Sequence, residues 1–525
     1  MTDNRFRRLP VGIQSFKVIR EENYLYVDKS DIVWNMVNLG DKYNYLSRPR
    51  RFGKSVLVDT LESYLEGRKD LFEGLKIMQL EKDWKQYPVI RLDMSRGGAN
   101  EKTLRSYLNL RFKDYEEKYN ITPDPTAMLA DRFHAIIATA YKQTGLRVAV
   151  LIDEYDSPLQ HSWRTPEHEK CTGVYREVFA ILKADDEYEH FIFITGITKF
   201  TQISLFSVLN NLSNISFMPE YATICGITEE EIKENFMPEL KQMSEVNNWS
   251  VQETHDRLKA YYDGYHFSRR NMVDVYNPYS LVNALKSKEI INFWASSGAT
   301  SLLPKFVDNA ELRMKNFEHC RIMRNTLELS DVSGGGAELF LYQSGYLTIK
   351  NSDEFGYILG FPNEEVKQAL YEMALPALTL RTKSDIQSIQ ANLYAQLGTG
   401  QIDEAMKSLK ALIADVPYSN KKLASMDMEE RYRLIISTIL NAIGLNVEVE
   451  KMISTGRIDM TVKTSRYIYV IELKLHNNGG KEAATKQILN RQYMEPFKAD
   501  KRKVIGLGIE LDEEGKGLLD WKRAE

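Results

Sequence analysis

Short apolar runs alternate with amphipathic segments between residues 42 and 225 of the chain. The runs are rich in β-branched and aromatic residues, which is typical of strands buried on both faces of a parallel sheet. The segments between them, such as 55–65 and 101–119, repeat their apolar residues with helical spacing. This alternation predicts an α/β fold, a parallel sheet covered by helices, with strands at 43–46, 89–92, 148–152 and 191–194.

The pattern changes after residue 225, and residues 226–380 read as helices that carry many aromatic side chains. A helical segment at 338–342 precedes two short strand-like segments, 345–349 and 357–360, with a polar turn at 351–354 between them. This order has two interpretations, a winged-helix element or a structural hairpin packed on helices. The pattern alone does not decide between them.

A polar helical connector is predicted for residues 381–425, with a break at 398–400 and an end at 416–418. Beyond it the pattern is helix, three strands, helix and strand, which is enough for an independent small α/β domain. At 525 residues the chain is long enough for about two to four domains. The expected division is 1–225, 226–380, 381–425 and 426–525.

The composition is that of a globular protein, with 43% hydrophobic and 27% charged residues, which argues against long disordered segments. The formal net charge of −4 restricts any nucleic-acid surface to a local patch. Three widely spaced cysteines offer neither a disulfide framework nor a paired-cysteine metal site. The N-terminus lacks an apolar signal core and no apolar run could span a bilayer, so we expect a soluble cytoplasmic protein without a membrane partner.

The first candidate site follows the strand at 43–46. Gly53, Lys54 and Ser55 match the end of a P-loop, in which backbone N–H groups and a lysine bind phosphates and a hydroxyl binds Mg²⁺. The first glycine of that pattern is absent, because Arg48 occupies its position. The arginines at 50 and 51 have two interpretations, a clamp on phosphate or solvent-exposed loop residues. The residues expected to bind ATP are Arg48, Pro49, Arg50, Arg51, Phe52, Gly53, Lys54 and Ser55.

Two carboxylates end the apolar run at 148–152 and support the ATP site. Asp153 is expected to hold Mg²⁺ together with Ser55, and Glu154 to polarise the attacking water. The alternative is a surface turn after a core strand. The strand at 191–194 is followed by Thr195 and Thr198, and either is a candidate sensor of the γ-phosphate or, equally, an ordinary strand end.

The second candidate site lies near the C-terminus. In the strand-like segment 467–475, period-two alternation puts Glu472 and Lys474 on one face. Asp459 lies on the preceding strand, within reach through a hairpin. Carboxylates that hold Mg²⁺ or Mn²⁺ and a nearby cation are what metal-dependent phosphodiester hydrolysis requires, and Asp459 and Glu472 are the expected metal ligands. The alternative is a solvent-facing ion-pair cluster on an edge strand.

The helix before these strands adds a third acid. Tyr432 and Ile436 belong to its apolar stripe, and Glu429 lies on the same face because it precedes them by about one and two helical turns. Glu430 is rotated off that face. Helical phase therefore favours Glu429 as the active-site carboxylate.

Motifs spread from one end of the chain to the other resemble those of a known family, the bacterial AAA-ATPase-like proteins fused to a C-terminal PD-(D/E)XK nuclease domain. They are YVDK at 26–29, RPRRFGKS at 48–55, DEYD at 153–156, TGITKF at 195–200, YNPYS at 276–280, YQSGYL at 342–347 and PNEEV at 362–366. In that family an arginine at the first P-loop position is customary. The resemblance implies that Gln487 approaches the nuclease site and that Tyr493, expected on the same helix, either does so or packs. One departure is Arg433, which follows Tyr432 where the family often has histidine.

Taken together, the sequence predicts an ATP-binding and ATP-hydrolysing protein whose Mg²⁺-dependent nuclease domain cleaves DNA under ATPase control. Catalytic roles fall to Glu154, Glu429, Asp459, Glu472, Lys474 and Gln487. A homo-oligomer and a role in defence or mobile-element biology follow only by analogy with other ATPase–nuclease fusions. Two alternatives remain, a nucleotide-dependent switch or scaffold that does not cut, and a nucleic-acid remodeller whose nuclease-like domain only binds.

Overall fold

The computed structural model describes residues 8–122, 124, 126–199, 212–296, 317–329, 336–379, 383–414 and 427–524. These residues form two compact units, one up to Asn363 and the other from Glu364 onward. Each unit buries hydrophobic clusters of its own.

A parallel sheet organises the first unit, as the sequence predicts. Its strand order is β2–β3–β4–β1–β5, and all its pairings are parallel. Because β1 and β3 both run parallel to β4 between them, the segments that follow β1 and β3 emerge at the same edge of the sheet, where α/β folds bind ligands. The strands are β1 (Tyr43–Ser47), β2 (Val89–Asp93), β3 (Val148–Asp153), β4 (Glu189–Gly196) and β5 (Ser213–Asn214).

Helices accompany this sheet in the alternation that the hydrophobic pattern indicates. Helix α5 begins at a capping box in which Asn100 and Thr103 satisfy each other's backbone N–H groups. The helices are α1 (Phe16–Glu21), α2 (Ser30–Asn38), α3 (Lys54–Leu65), α4 (Ile77–Leu80), α5 (Glu101–Lys118), α6 (Leu129–Thr144), α7 (Ser157–Ser162), α8 (Glu167–Phe179) and α9 (Ile181–Ala184).

The rest of the first unit is mainly helical, with two small antiparallel sheets. Its elements are β6 (Ile227–Thr228), α10 (Glu229–Asn235), α11 (Met237–Asn247), α12 (Val251–Tyr262), β7 (Val275–Tyr276), α13 (Pro278–Ser287), α14 (Phe293–Ser296), β8 (Cys320–Met323), α15 (Arg324–Leu329), α16 (Gly336–Ser344), β9 (Thr348–Asp353) and β10 (Gly356–Gly360).

Helix α16 and the strands after it are the segment with two interpretations. The strands pair in the order β8–β10–β9, and the expected turn at 351–354 is shorter because β9 continues to Asp353. Helix α16 is buried along most of its length, with Leu339, Phe340 and Leu341 at most 1% exposed. A helix buried in this way packs inside the unit, and this favours the packed hairpin over a wing that contacts DNA.

The second unit is built on a mixed sheet ordered β11–β12–β13–β14–β15, in which β13 and β14 are parallel and the other neighbours antiparallel. The predicted order of helix, three strands, helix and strand is present, and β15 follows it. The elements are α17 (Glu364–Thr379), α18 (Lys383–Thr399), α19 (Ile402–Ala414), α20 (Met428–Ala442), β11 (Asn446–Ile453), β12 (Gly456–Lys463), β13 (Tyr467–Leu475), α21 (Gly480–Asn490), β14 (Lys503–Leu511) and β15 (Leu518–Ala524).

Helices α18 and α19 occupy the segment expected to be a polar connector. Leu397 of α18 and Leu409 of α19 are buried in the same hydrophobic cluster as Ile436 of α20 and Ile471 of β13. The described part of this segment therefore belongs to the core of the second unit, and the expected connector end at 416–418 lies outside the described residues. Among the described helices, none is long and apolar enough to cross a membrane.

Arg48 ties the end of β1 to a later part of the first unit. Its side chain is 1% exposed, and its guanidinium donates hydrogen bonds to the carbonyl oxygens of Ser216 at 2.9 Å and Tyr221 at 2.8 Å. The guanidinium carbon also lies 4.2 Å from the centre of the Phe267 ring. A buried cation is tolerated only where dipoles surround it, so these contacts fix the position of the loop that begins at Arg48.

Replacing Arg48 with Gln is expected to lower the free energy of unfolding by about 3 kcal/mol, because buried carbonyl oxygens lose their donors. Arg51→Gln, an exposed position in the same loop, is the matched control and should change it by less than about 1 kcal/mol. Urea unfolding followed by circular dichroism measures both. Equal losses in the two variants would contradict the anchoring role of Arg48.

Gly196 closes β4 at a point where an extra carbon has no room. A β-carbon on this residue would lie 2.6 Å from Oδ1 of Asp156 and 2.8 Å from the Tyr155 ring. Asp156 is 1% exposed, and its Oδ2 accepts hydrogen bonds from the backbone N–H groups of Ile197 at 3.0 Å and Thr198 at 2.6 Å. The segment after β4 is thus held directly against the segment after β3.

Gly196→Ala should destabilise the protein by about 2 kcal/mol, because the Asp156 carboxylate cannot move away without breaking its hydrogen bonds to the backbone N–H groups of Ile197 and Thr198. Gly173→Ala in α8 is the control, since a β-carbon there would meet nothing within 4 Å. That control is expected to gain roughly 0.5–1 kcal/mol from helix propensity. Thermal unfolding compares the two, and a stable Gly196→Ala protein would show that the contact can relax.

Candidate active sites

The loop between β1 and α3 has the backbone conformation of a phosphate-binding turn. Gly53 caps α3 with φ 82°, and Arg51 also has positive φ, 68°, whereas Arg48 does not. The absent first glycine is explained by this difference, because the position that Arg48 occupies needs no left-handed conformation. The N-terminus of the twelve-residue helix α3 follows directly and presents its free N–H groups.

Lys54 is the buried cation of this loop. It is 5% exposed, and its ammonium group donates hydrogen bonds to the carbonyl oxygens of Arg48 and Pro49, both at 3.0 Å. Burial lowers the pKa of Lys54, while the nearby carboxylates of Glu154 and Asp153 act in the opposite direction. A buried ammonium held by carbonyl dipoles is suited to bind an anion.

Asp153 and Glu154 lie beside the loop, at the end of β3. The Ser55 hydroxyl is hydrogen-bonded to the Asp153 carboxylate, whose pKa is raised by burial and lowered by this contact and by Lys54. Glu154 has φ 47°, an unusual conformation for a non-glycine residue, and burial raises its pKa. The hydroxyl and carboxylate that Mg²⁺ would need and the candidate base therefore meet at one place.

A cavity of about 500 Å³ opens over this loop. Of the predicted residues, those that line it are Arg50, Arg51, Phe52, Gly53, Lys54, Ser55 and Glu154. Sequence reasoning gave no role to Tyr279 and Asn283 of α13, which also line it, although Tyr279 belongs to the YNPYS motif. The Arg51 guanidinium carbon lies 4.8 Å from the centre of the Tyr279 ring. Cavity, helix N-terminus, ammonium and hydroxyl together fit a nucleoside triphosphate and its Mg²⁺.

Other predicted residues of this site lie away from the cavity. The side chain of Arg48 is turned toward Ser216 and Tyr221, and Pro49 and Thr198 do not line the cavity either. The Thr198 hydroxyl is buried and donates to Oδ2 of Asp156 at 2.7 Å. In this conformation Thr198 supports the turn after β4.

The second candidate site lies at the paired strands β12 and β13, whose register places Asp459 beside Glu472. The backbone N–H of Leu473 donates to Oδ2 of Asp459 at 2.9 Å, and that of Asp459 approaches Oε2 of Glu472 at 3.5 Å. Glu472 is 1% exposed. Burial and the neighbouring Asp459 carboxylate raise the pKa of Glu472 well above its usual range, and Lys474 opposes this shift.

Lys474 connects Glu472 to the helix α20. Its ammonium nitrogen lies 3.8 Å from Oε1 of Glu472 and 3.6 Å from Oε2 of Glu429. Glu429 also accepts a hydrogen bond from the backbone N–H of Leu475 at 3.3 Å. The exposed Glu430 lies nearby, but the contact to Lys474 is made by Glu429, the residue that helical phase favours.

Gln487 of α21 reaches the same carboxylate, since its side-chain amide donates to Oε1 of Glu472. Tyr493 was expected on that helix, and this is wrong because α21 ends at Asn490 and Gln492 turns the chain with φ 52°. The turn still brings the Tyr493 hydroxyl to 3.4 Å from the Gln487 amide. Glu429, Asp459, Glu472, Lys474 and Gln487 thus all line one cavity of about 750 Å³.

Three charged residues, of which Arg433 and Arg457 line this cavity, form an ion-pair group that the sequence-based prediction did not find. Arg433 donates a hydrogen bond to Oδ1 of Asp459 at 3.2 Å and forms an ion pair with Oε1 of Glu450 at 3.0 Å, and Arg457 forms an ion pair with the same Glu450 oxygen at 3.2 Å. The one available signal was Arg433, because it departs from the family's histidine. Nothing in the spacing points to Glu450.

The donors around Asp459 and Glu472 fit a divalent cation. Burial, together with the neighbouring Asp459 carboxylate, raises the pKa of Glu472, and a cation between the two carboxylates would oppose both effects. Within the described ranges, no group of three or more His, Cys, Asp or Glu side chains is arranged to hold a metal. Here the third acid, Glu429, is separated from Glu472 by Lys474.

Comparison with known proteins matches one family model within each of the two units. Residues 10–206 match the family described as "Predicted AAA-ATPase", and residues 427–521 match the PD-(D/E)XK nuclease superfamily. A protein of Azotobacter chroococcum mcd 1, named "Uncharacterized protein in vnfD 5'region", is 30% identical over 530 residues, which cover 98% of this chain and 98% of that protein. The chain therefore belongs to the family of AAA-ATPase-like proteins that carry a C-terminal PD-(D/E)XK nuclease superfamily domain.

Proposed function

We propose that this protein binds and hydrolyses ATP in its first unit and cleaves nucleic acid, with DNA as the substrate, in its second. The observation that carries the nuclease assignment is the cluster of Asp459, Glu472, Lys474 and Glu429 in one cavity. The ATPase assignment rests on Lys54, Ser55 and the two carboxylates after β3. ATPase control of the nuclease, a cytoplasmic location, homo-oligomerisation and a role in defence or mobile-element biology extend this proposal.

In the ATP site the protein's side chains bind the phosphates and orient the attacking water. Lys54 exchanges its carbonyl contacts for phosphate oxygens, and Ser55 and Asp153 hold Mg²⁺. Glu154 takes a proton from the attacking water, for which a carboxylate with a raised pKa is suited. Bound ATP supplies the γ-phosphoryl group that is transferred to water.

At the nuclease site Asp459 and Glu472 hold the cation, which supplies Lewis-acid stabilisation of the scissile phosphate. Lys474 stabilises the developing negative charge and orients water beside that phosphate. Glu429 keeps the Lys474 ammonium group in place, and Gln487 fixes the orientation of the Glu472 carboxylate. These roles require the side chains to lie close together, which the pairing of β12 with β13 and the ion pairs of Lys474 provide.

Glu154→Gln is expected to lower ATP turnover by at least ~100-fold while leaving ATP binding intact, because the variant loses only the proton acceptor. Lys54→Ala should weaken ATP binding itself. The control is Glu169→Gln, whose side chain is 78% exposed on α8. Phosphate release and equilibrium binding of a labelled nucleotide separate the two effects, and turnover that survives Glu154→Gln would refute the role of this residue.

Glu472→Gln should lower cleavage of linear, circular and single-stranded DNA by at least ~100-fold in Mg²⁺ or Mn²⁺, because a metal ligand is lost. Glu482→Gln, an exposed position on α21, is the control and should cut like the parent protein. The same assay with and without ATP, repeated on Lys54→Ala, tests control by the ATPase. Binding without any cleavage would favour the switch or scaffold, and equal cleavage by Lys54→Ala would exclude the coupling.

A further inference from the structure

Two arginines that line the nuclease cavity are joined by one glutamate in an ion-pair network. Oε1 of Glu450 forms ion pairs with Arg433 at 3.0 Å and with Arg457 at 3.2 Å, and Arg433 also donates a hydrogen bond to Oδ1 of Asp459 at 3.2 Å. The Arg433 side chain is 14% exposed, and those of Arg457 and Glu450 are 53% and 43% exposed. The ion-pair network therefore extends from the buried carboxylates to the mouth of the cavity.

Glu450 has an unusual backbone for its place in the sheet. The pairing of β11 with β12 joins Val449 to Met460 and Lys451 to Ile458 but omits Glu450 and Asp459 between them. Glu450 has φ 53°, a left-handed conformation that costs about 1 kcal/mol or more for a residue with a β-carbon. This left-handed residue interrupts the pairing of β11 with β12 opposite Asp459.

The balance of charge in this ion-pair network depends on what Asp459 binds. When no cation is bound to Asp459, the two positive charges of Arg433 and Arg457 are balanced by the two carboxylates of Asp459 and Glu450. A divalent cation on Asp459 and Glu472 competes with Arg433 for Asp459. Two guanidinium groups are then left with the single carboxylate of Glu450, and a site for an anion results.

We propose that Arg433 and Arg457, joined through Glu450, form a clamp for a backbone phosphate of the nucleic-acid substrate. Arg433 exchanges its contact with Asp459 for a phosphate oxygen when the cation binds. This inference rests on the proposed nuclease function and names the residues that hold its substrate.

The phosphodiester backbone is the ligand that fits this clamp best. A single guanidinium group binds phosphate oxygens through two parallel hydrogen bonds, which each of the two arginines can offer. Lys486 and Arg491, at the α21 side of the same cavity, add positive charge along its rim. A path of several cations at an open cavity suits a polyanion that extends beyond the reacting phosphate.

The test measures DNA binding separately from cleavage, on the full-length protein. Fluorescence anisotropy with labelled duplex DNA, single-stranded DNA and RNA is recorded in Ca²⁺ over a range of salt concentrations, and probe integrity is checked afterwards. Arg457→Gln and Arg433→Gln are compared with Arg466→Gln, which removes the same charge at an exposed turn between β12 and β13. Arg457 is the more informative position because it is exposed and its loss should leave folding intact, which thermal unfolding verifies.

We expect Arg457→Gln and Arg433→Gln each to weaken duplex binding about fivefold and to reduce the slope of log K against log salt by about 0.9. Arg466→Gln should bind like the parent. Folded Arg457→Gln and Arg433→Gln proteins that bind like Arg466→Gln overturn the clamp, even if the parent protein cuts DNA. Arginine-dependent binding without cleavage by the parent keeps the clamp and overturns the nuclease function. If the parent protein binds none of the three probes, both the clamp and the nuclease function are overturned.

Discussion

Burying a charged side chain is unfavourable unless dipoles or opposite charges surround it, and both sites of this protein are built from such side chains. In the first unit Arg48 and Lys54 are nearly inaccessible, and backbone carbonyl oxygens surround them. In the second unit the buried Glu472 lies against Asp459 and is balanced by Lys474. The loop, strand and helix ends around these groups supply their hydrogen-bond and ion-pair partners. The same contacts therefore form the sites and stabilise the folded units.

The same requirement explains why one arginine can replace the glycine that starts most P-loops. Glycine is needed where the backbone must be left-handed, and the positive φ values of this loop fall at Arg51 and Gly53. Freed from that demand, Arg48 turns its side chain away from the cavity and anchors the loop to Ser216 and Tyr221. An apparent defect in the motif is thus a structural contact.

Arg433 shows how a substitution in the second unit changes the chemistry of its site. A histidine at this position would reach fewer partners, whereas the guanidinium contacts Asp459 and Glu450 at once. Because Arg433 competes with a cation for Asp459, metal binding and substrate binding become linked through one side chain. This linkage makes the second site responsive to its ligands without any change elsewhere in the fold.

Local patterns in the sequence determined the elements and most of the chemistry. Apolar periodicity predicted the parallel sheet, and helical phase separated Glu429 from Glu430, because both depend only on residues near in the chain. The contacts of Arg48 with Ser216 and Tyr221, of Thr198 with Asp156, and of Arg433 with Glu450 were decided only by the tertiary structure. Each joins residues on different elements or loops, and the orientation of a long polar side chain depends on which buried partner the completed fold places beside it. The sequence identified the motif charges of the two sites but not the group that Arg433 and Arg457 form with Glu450, and the fold decided which charges face a ligand and which hold the protein together.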